Sequence, residues 1–79
     1  MKITVQYYAL LREKRGVTSE TIETKAATAE QLYAELKAVH NFRLTTKDLR
    51  VAVNNEFSSW DKPLADGDSI IFIPPVAGG

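Results

Sequence analysis

Cysteine is absent from this 79-residue chain, which excludes disulfides, thiolate metal sites and a cysteine nucleophile together. Histidine occurs once, at His40. A zinc site therefore lacks ligands, and a lone imidazole without an orienting partner specifies no catalytic constellation. Net charge is missing too, because ten basic residues balance ten acidic ones. That leaves no electrostatic footprint for nucleic acid, and a chain of zero net charge favours association with a partner. No apolar run approaches the ~18 residues of a membrane span. Met1-Lys2-Ile3 opens a strand, not a signal peptide. Gly16 and Gly67 stand alone, so no glycine-rich phosphate loop exists. The expectation is a cytoplasmic protein that binds no nucleic acid, membrane, metal or cofactor and is no enzyme on its own.

A chain this short makes one domain. It has little core to give up to a substrate pocket, so function is expected on a surface or at a terminus. Hydrophobic content of 44% with 25% charged residues is that of an ordinary globular chain and not of a disordered one.

Lys2 to Tyr8 alternates, with Ile3, Val5 and Tyr7 on one face and Thr4, Gln6 and Tyr8 on the other. Period two reads as a half-buried strand. Leu10 to Gly16 reads as a helical turn or wide loop closed by a left-handed glycine. Thr18 to Thr24 reads as a second strand, with only Val17 and Ile22 turned inward. Thr28 with Gln31 three residues on forms a capping box. The helix after it carries Ala29, Leu32, Leu36 and Val39 as a narrow apolar stripe and ends at His40-Asn41. Leu49 to Val53 is a third strand with Val51 and Val53 inward and Ala52 outward. Asn54-Asn55 is a tight turn. Ser58 to Asp68 is mostly connection, and Ile70 to Ile73 is the last strand, stopped by Pro74-Pro75. The order β, β, α, β, β with one main helix predicts an α+β roll built on a mixed sheet of four to five strands. Residues 1–73 form the domain, and residues 74–79 are expected as an extended flexible tail.

Asp66 and Asp68 flank a glycine at a strand entry, which suits turn formation better than acid–base chemistry. The tail is different. Pro74 and Pro75 favour extended geometry and lower the entropy lost on threading a channel. Six residues beyond Ile73 reach at most ~20 Å. Val76 and Ala77 lead to Gly78 and Gly79, which have no β-carbon, so a narrow tunnel can close directly on their backbone. The reactive group is then the α-carboxylate of Gly79. Carboxylates are poor electrophiles, so a partner must activate it, most naturally by adenylation with ATP. The acyl-adenylate can accept sulfur, giving a thiocarboxylate, or an amine, giving an isopeptide. If Ile70 and Phe72 face the core, Ile71 and Ile73 face out; with Phe57 they make an apolar docking patch beside the tail. Trp60 is read as a roof over the core.

Val51-Ala-Val-Asn-Asn55, Trp60-Asp-Lys-Pro-Leu64, Asp66-Gly-Asp68 and Phe72-Ile-Pro-Pro-Val-Ala-Gly-Gly79 together resemble the small subunits of molybdopterin synthase, within the ubiquitin-like sulfur carriers. Tyr7-Tyr-Ala-Leu-Leu-Arg-Glu13 is similar too. The resemblance implies a β-grasp fold and a sulfur carrier, not an enzyme by itself. An adenylating, E1-like enzyme would activate Gly79 with ATP, and a sulfur-donor system would convert it to a thiocarboxylate. The loaded tail, residues 74–79, would enter the large synthase subunit of a heterotetramer. There it would give its sulfur to cyclic pyranopterin monophosphate and build the dithiolene of molybdopterin. By position, Phe57 and Ile73 match the family's hydrophobic contact patch and Arg12 a polar contact. Rival readings are a carrier for thiamine or tRNA thiolation, a protein modifier conjugated through Gly79, and a plain interaction module.

Overall fold

The computed structural model describes residues 1–74. Its elements in chain order are β1 (Lys2–Tyr7), α1 (Ala9–Arg15), β2 (Ser19–Glu23), α2 (Ala29–His40), β3 (Arg50–Val53), β4 (Glu56–Ser58) and β5 (Ser69–Ile73). They form one mixed sheet in the order β2-β1-β5-β3-β4. The central pair β1 and β5 is parallel, and the other neighbours are antiparallel. The expected α+β roll is therefore present, with five strands.

One face of the sheet is covered. Ile3, Val5 and Tyr7 of β1 and Ile70 and Phe72 of β5 have no accessible surface, and they pack with Leu32, Tyr33 and Leu36 of α2. The helix begins as its sequence foretells: the Thr28 hydroxyl accepts the Gln31 N–H at 3.2 Å. The Gln31 side chain reaches one residue past the cap, however, and accepts the Ala27 N–H at 2.8 Å. Two more N–H groups of the first turn donate to the 59–64 loop, Glu30 to the Trp60 carbonyl and Ala29 to the Lys62 carbonyl. That loop is thus tied to the helix start, whose free donors need partners. Asn41 closes the helix in the left-handed region. Gly16 does the same for α1, its N–H donating to the Arg12 carbonyl at 2.8 Å.

Four details differ from the sequence reading. Val39 is not in the apolar stripe; it is 74% exposed, and Tyr33 is buried in its stead. With about 100° per residue, Ala29, Leu32, Tyr33 and Leu36 centre a stripe that passes close to His40 and leaves Val39 at its flank. Val17 is exposed, and Glu20 joins Ile22 on the inner side of β2, opposite Val5. Ala52 faces outward as expected yet is buried, because Phe57 and Ile71 flank it in register and overshadow its single methyl. Finally, β4 occupies part of what reads as connection. Three residues are too few to show alternation, and Asn54 and Asn55, with φ of 52° and 71°, fold the chain back into it.

Candidate functional site

Among the described residues, the face of the sheet away from α2 is bare. Across its width the register sets Ser19, Gln6, Ile71, Ala52 and Phe57 in one row, and Arg50 opposite Ile73 in the next. The row is polar on β2 and β1 and apolar on β5, β3 and β4. Phe57 and Ile73, expected from sequence to dock a partner, are brought onto this same face. Phe57 is 67% exposed, and Ile73 is half-buried. The guanidinium carbon of Arg50 lies 5.0 Å from the centre of the Phe57 ring, which is cation–π distance. Trp60 is on the other side, stacked on Phe72 at 5.9 Å and tilted against Tyr33 at 6.0 Å. It roofs the core and takes no part in the patch.

Because β1 and β5 run parallel, with Tyr7 abreast of Phe72, the chain leaves both strands at the same end of the sheet. Continued by one residue, that register sets Tyr8, which is 45% exposed, on the same face as Ile73. Arg12 sits on the exposed side of α1, which continues from Tyr8 at that same end. Pro74 is buried. Pro75, Val76, Ala77, Gly78 and Gly79, on which the tail chemistry is expected, lie outside the described residues. Tyr8 is an exposed aromatic of this face that the sequence reading does not single out. Its outward position is legible in the alternation of β1, but its neighbour Ile73 emerges only from the parallel pairing.

Polar groups elsewhere serve the fold. The Asp68 carboxylate accepts from the Ala65 N–H at 2.8 Å and the Asn54 amide at 2.9 Å, and these bonds hold its pKa below the usual carboxylate range. Asp66 accepts the Lys2 N–H at 2.6 Å. Both aspartates are turn formers. Glu20 takes two hydrogen bonds from Arg15, at 2.7 and 3.0 Å, and one from the Tyr7 hydroxyl at 2.6 Å. Arg15 chiefly holds Glu20 ionised below its ordinary range, while burial pushes the Tyr7 phenol well above its own. Burial likewise raises Tyr33 to about 12, with its hydroxyl donating to the Leu44 carbonyl at 2.5 Å.

Each of these groups is engaged in bonds that hold a turn or join neighbouring elements of the fold. An open trough of about 470 Å³ lies between β4 and the 59–63 loop. Among the described residues no group of three or more His, Asp or Glu could hold a metal ion, and no helix is long and apolar enough to cross a membrane.

From residue 5 to residue 79 the sequence matches the ThiS family. The chain belongs to the ThiS family. It is similar to the molybdopterin synthase sulfur carrier subunit of Escherichia coli (strain K12), 36% identical over 80 residues that cover 98% of this chain and 99% of that protein. The protein of the same name from Chlamydomonas reinhardtii is 39% identical over 83 residues, covering all of both chains. Among solved structures, SAMP1 from Haloferax volcanii superposes with a TM-score of 0.82 at 22% identity, covering 100% of both chains; that likeness is one of fold, the ubiquitin-like β-grasp. A chain in the complex of subunits 1 and 2 of the molybdopterin-converting factor of Helicobacter pylori 26695 superposes with a TM-score of 0.69 at 26% identity. It too is covered completely. The ThiS-family match runs through the Gly-Gly ending, although the described residues stop at Pro74.

Proposed function

We propose that this chain is the sulfur-carrying small subunit of a molybdopterin synthase, acting in the cytoplasm. The observation that carries this reading is its likeness, over essentially the full length of both proteins, to curated molybdopterin synthase sulfur carrier subunits. The β-grasp domain is the handle and the Gly79 carboxylate is the reactive group. On an adenylating enzyme, that carboxylate attacks the α-phosphate of ATP; pyrophosphate leaves and an acyl-adenylate forms. Hydrosulfide-level sulfur from a donor system attacks the acyl carbon; the carbon–oxygen bond to AMP breaks, AMP leaves, and a thiocarboxylate remains. The tail, Pro74 to Gly79, enters the large subunit and passes its sulfur to cyclic pyranopterin monophosphate; water restores the carboxylate. The chain binds no cofactor, and ATP is consumed by the activating partner.

Docking to the large subunit falls to the bare face. Phe57, Ile73 and Tyr8 supply apolar contact and Arg12 a polar one, all near the end of the sheet from which the tail leaves. Each half of the assembly is one small and one large subunit, two such halves making a heterotetramer.

Incubation with ATP, the adenylating enzyme and a sulfur donor, then intact-mass measurement, tests the reading. The expected product has one oxygen replaced by one sulfur, and removal of Gly79 abolishes it. Attachment of the chain to lysines of other proteins, with no thiocarboxylate formed, would instead identify a protein modifier. A thiocarboxylate that the large subunit cannot use would assign the chain to another sulfur pathway.

A further inference from the structure

Arg50 is a charge set among apolar groups on the bare face. It opens β3, stands opposite Ile73 on β5, and holds its guanidinium 5.0 Å from the Phe57 ring centre. Its side chain is exposed. The ion pairs among the described residues join Met1 to Glu23 and Arg15 to Glu20; none involves Arg50. Among the described residues none accepts a hydrogen bond from its five donors, and the exposed side chain is open to water. A partner that covers Phe57 and Ile73 displaces that water. An unpaired guanidinium under such a cover is strongly unfavourable, and the weak attraction of one phenyl face does not offset the loss.

We infer that the surface covering Phe57 bears a carboxylate opposite Arg50, which makes Arg50 the specificity determinant of the docking face. The inference rests on the docking reading above and sharpens it. The partner is a protein with an apolar recess for the Phe57 ring and an Asp or Glu at the edge of that recess. A carboxylate matches the guanidinium fork with two parallel hydrogen bonds, which a neutral acceptor or a lysine in place of arginine does not reproduce. The Phe57 contact also restricts the long Arg50 side chain before binding, so less freedom is lost when the pair forms.

Binding of the intact chain to the purified large subunit, measured by calorimetry at low and high salt, tests this. Arg50→Glu is expected to weaken binding by about 100-fold and Arg50→Gln by about tenfold, as for a desolvated charge pair. Arg50→Lys falls between wild type and Arg50→Gln, keeping the charge but losing the fork. Thermal midpoints stay near that of the wild type, because the side chain is exposed. The wild-type affinity declines more steeply with salt than that of Arg50→Gln. Binding of Arg50→Glu within about twofold of wild type, or equal salt slopes for wild type and Arg50→Gln, overturns the inference. Phe57→Ala separates the two levels of the argument. If it loses affinity while Arg50→Glu does not, the docking face stands and its carboxylate partner is wrong. If Phe57→Ala binds as wild type, the docking face itself is wrong and the inference falls with it.

Discussion

The two faces of the sheet are made from the same strands, yet among the described residues only one is covered. Along β5, Ile70 and Phe72 have no accessible surface, while their neighbours Ile71 and Ile73 remain half-exposed. The composition of the strand does not set this difference; four of its five residues are large and apolar. A single helix can cover only one face, so alternation turns every second apolar residue of β5 into surface. The bare face is itself divided. On β1 and β2 it carries Thr4, Thr21, Gln6 and Ser19, with the two threonine hydroxyls 3.3 Å apart, and these suit water. On β5, β3 and β4 it carries Ile71, Ile73, Ala52 and Phe57, with Arg50 as the charge among them. The lesson is that alternation leaves an apolar half uncovered among the described residues, and on the proposed function that half is the surface for a partner.

Breaking the finished face has the largest expected effect. Phe72 meets Tyr33 at 5.1 Å and Trp60 at 5.9 Å between ring centres. Phe72→Ala removes that three-ring cluster's centre and should cost about 3–5 kcal/mol. A domain of this size has a total stability on the order of 4–12 kcal/mol. Urea denaturation should show a large fall in midpoint, and loss of partner binding should come only from loss of the fold.

The unfinished face should behave in the opposite way. Phe57 is 67% exposed and covers only the small Ala52 methyl, so Phe57→Ala should change stability by no more than about 0.5 kcal/mol. A central aromatic anchor is commonly worth about 2 kcal/mol of binding, or roughly 30-fold in Kd. Paired measurements of urea midpoint and large-subunit affinity check this. A variant that lost stability as Phe72→Ala does would erase the distinction between the faces.

How much of that distinction sequence alone reveals depends on the period of each element. The inward set Ile3, Val5, Tyr7, Ile70 and Phe72 is legible, because strand alternation assigns faces residue by residue. The outward pair Ile71 and Ile73 is its complement. The Asn54-Asn55 turn and the Asp66-Gly67-Asp68 turn are legible for the same local reason: their side chains and positive φ angles define the bend. Neighbour relations between distant strands are not. That Tyr8 lies beside Ile73, and Arg50 opposite it, depends on β1 and β5 running parallel and β3 lying beside β5. No local pattern encodes that pairing. The inward position of Glu20 is hidden for a different reason. A charged residue on an inner face is tolerable only because Arg15 and the Tyr7 hydroxyl meet it there.

Glu20 gives a pH-dependent edge to the finished face. Arg15, then the Tyr7 hydroxyl, hold its folded pKa below the ordinary value. A depressed carboxylate contributes stability above its unfolded pKa of about 4.3 and loses it as pH falls through the folded value. Glu20→Gln should therefore lower the thermal midpoint by a few degrees at pH 7. The gap from wild type should narrow steadily below about pH 4. Thermal unfolding at pH 7, 5, 4 and 3 measures it. A gap that stayed constant across that range would mean the carboxylate's charge contributes nothing, and that packing alone explains the variant.

Val39 should show the smallest effect, and it tests where the finished face ends. Its spacing from Leu32 and Leu36 fits an inward position, yet it is 74% exposed, and Tyr33 fills the core beneath α2. Val39→Lys removes no buried surface. It replaces a β-branched residue by a better helix former and sets a cation in the last turn, where the helix dipole favours it by a few tenths of a kcal/mol. The expected change in urea stability is between zero and a gain of about 0.5 kcal/mol. Tyr33→Ala on the same helix should cost about 3 kcal/mol or more, since its ring contacts Phe42, Trp60 and Phe72. A loss above about 1 kcal/mol for Val39→Lys would return Val39 to the covered face and shift the helix stripe by one position toward the sequence reading.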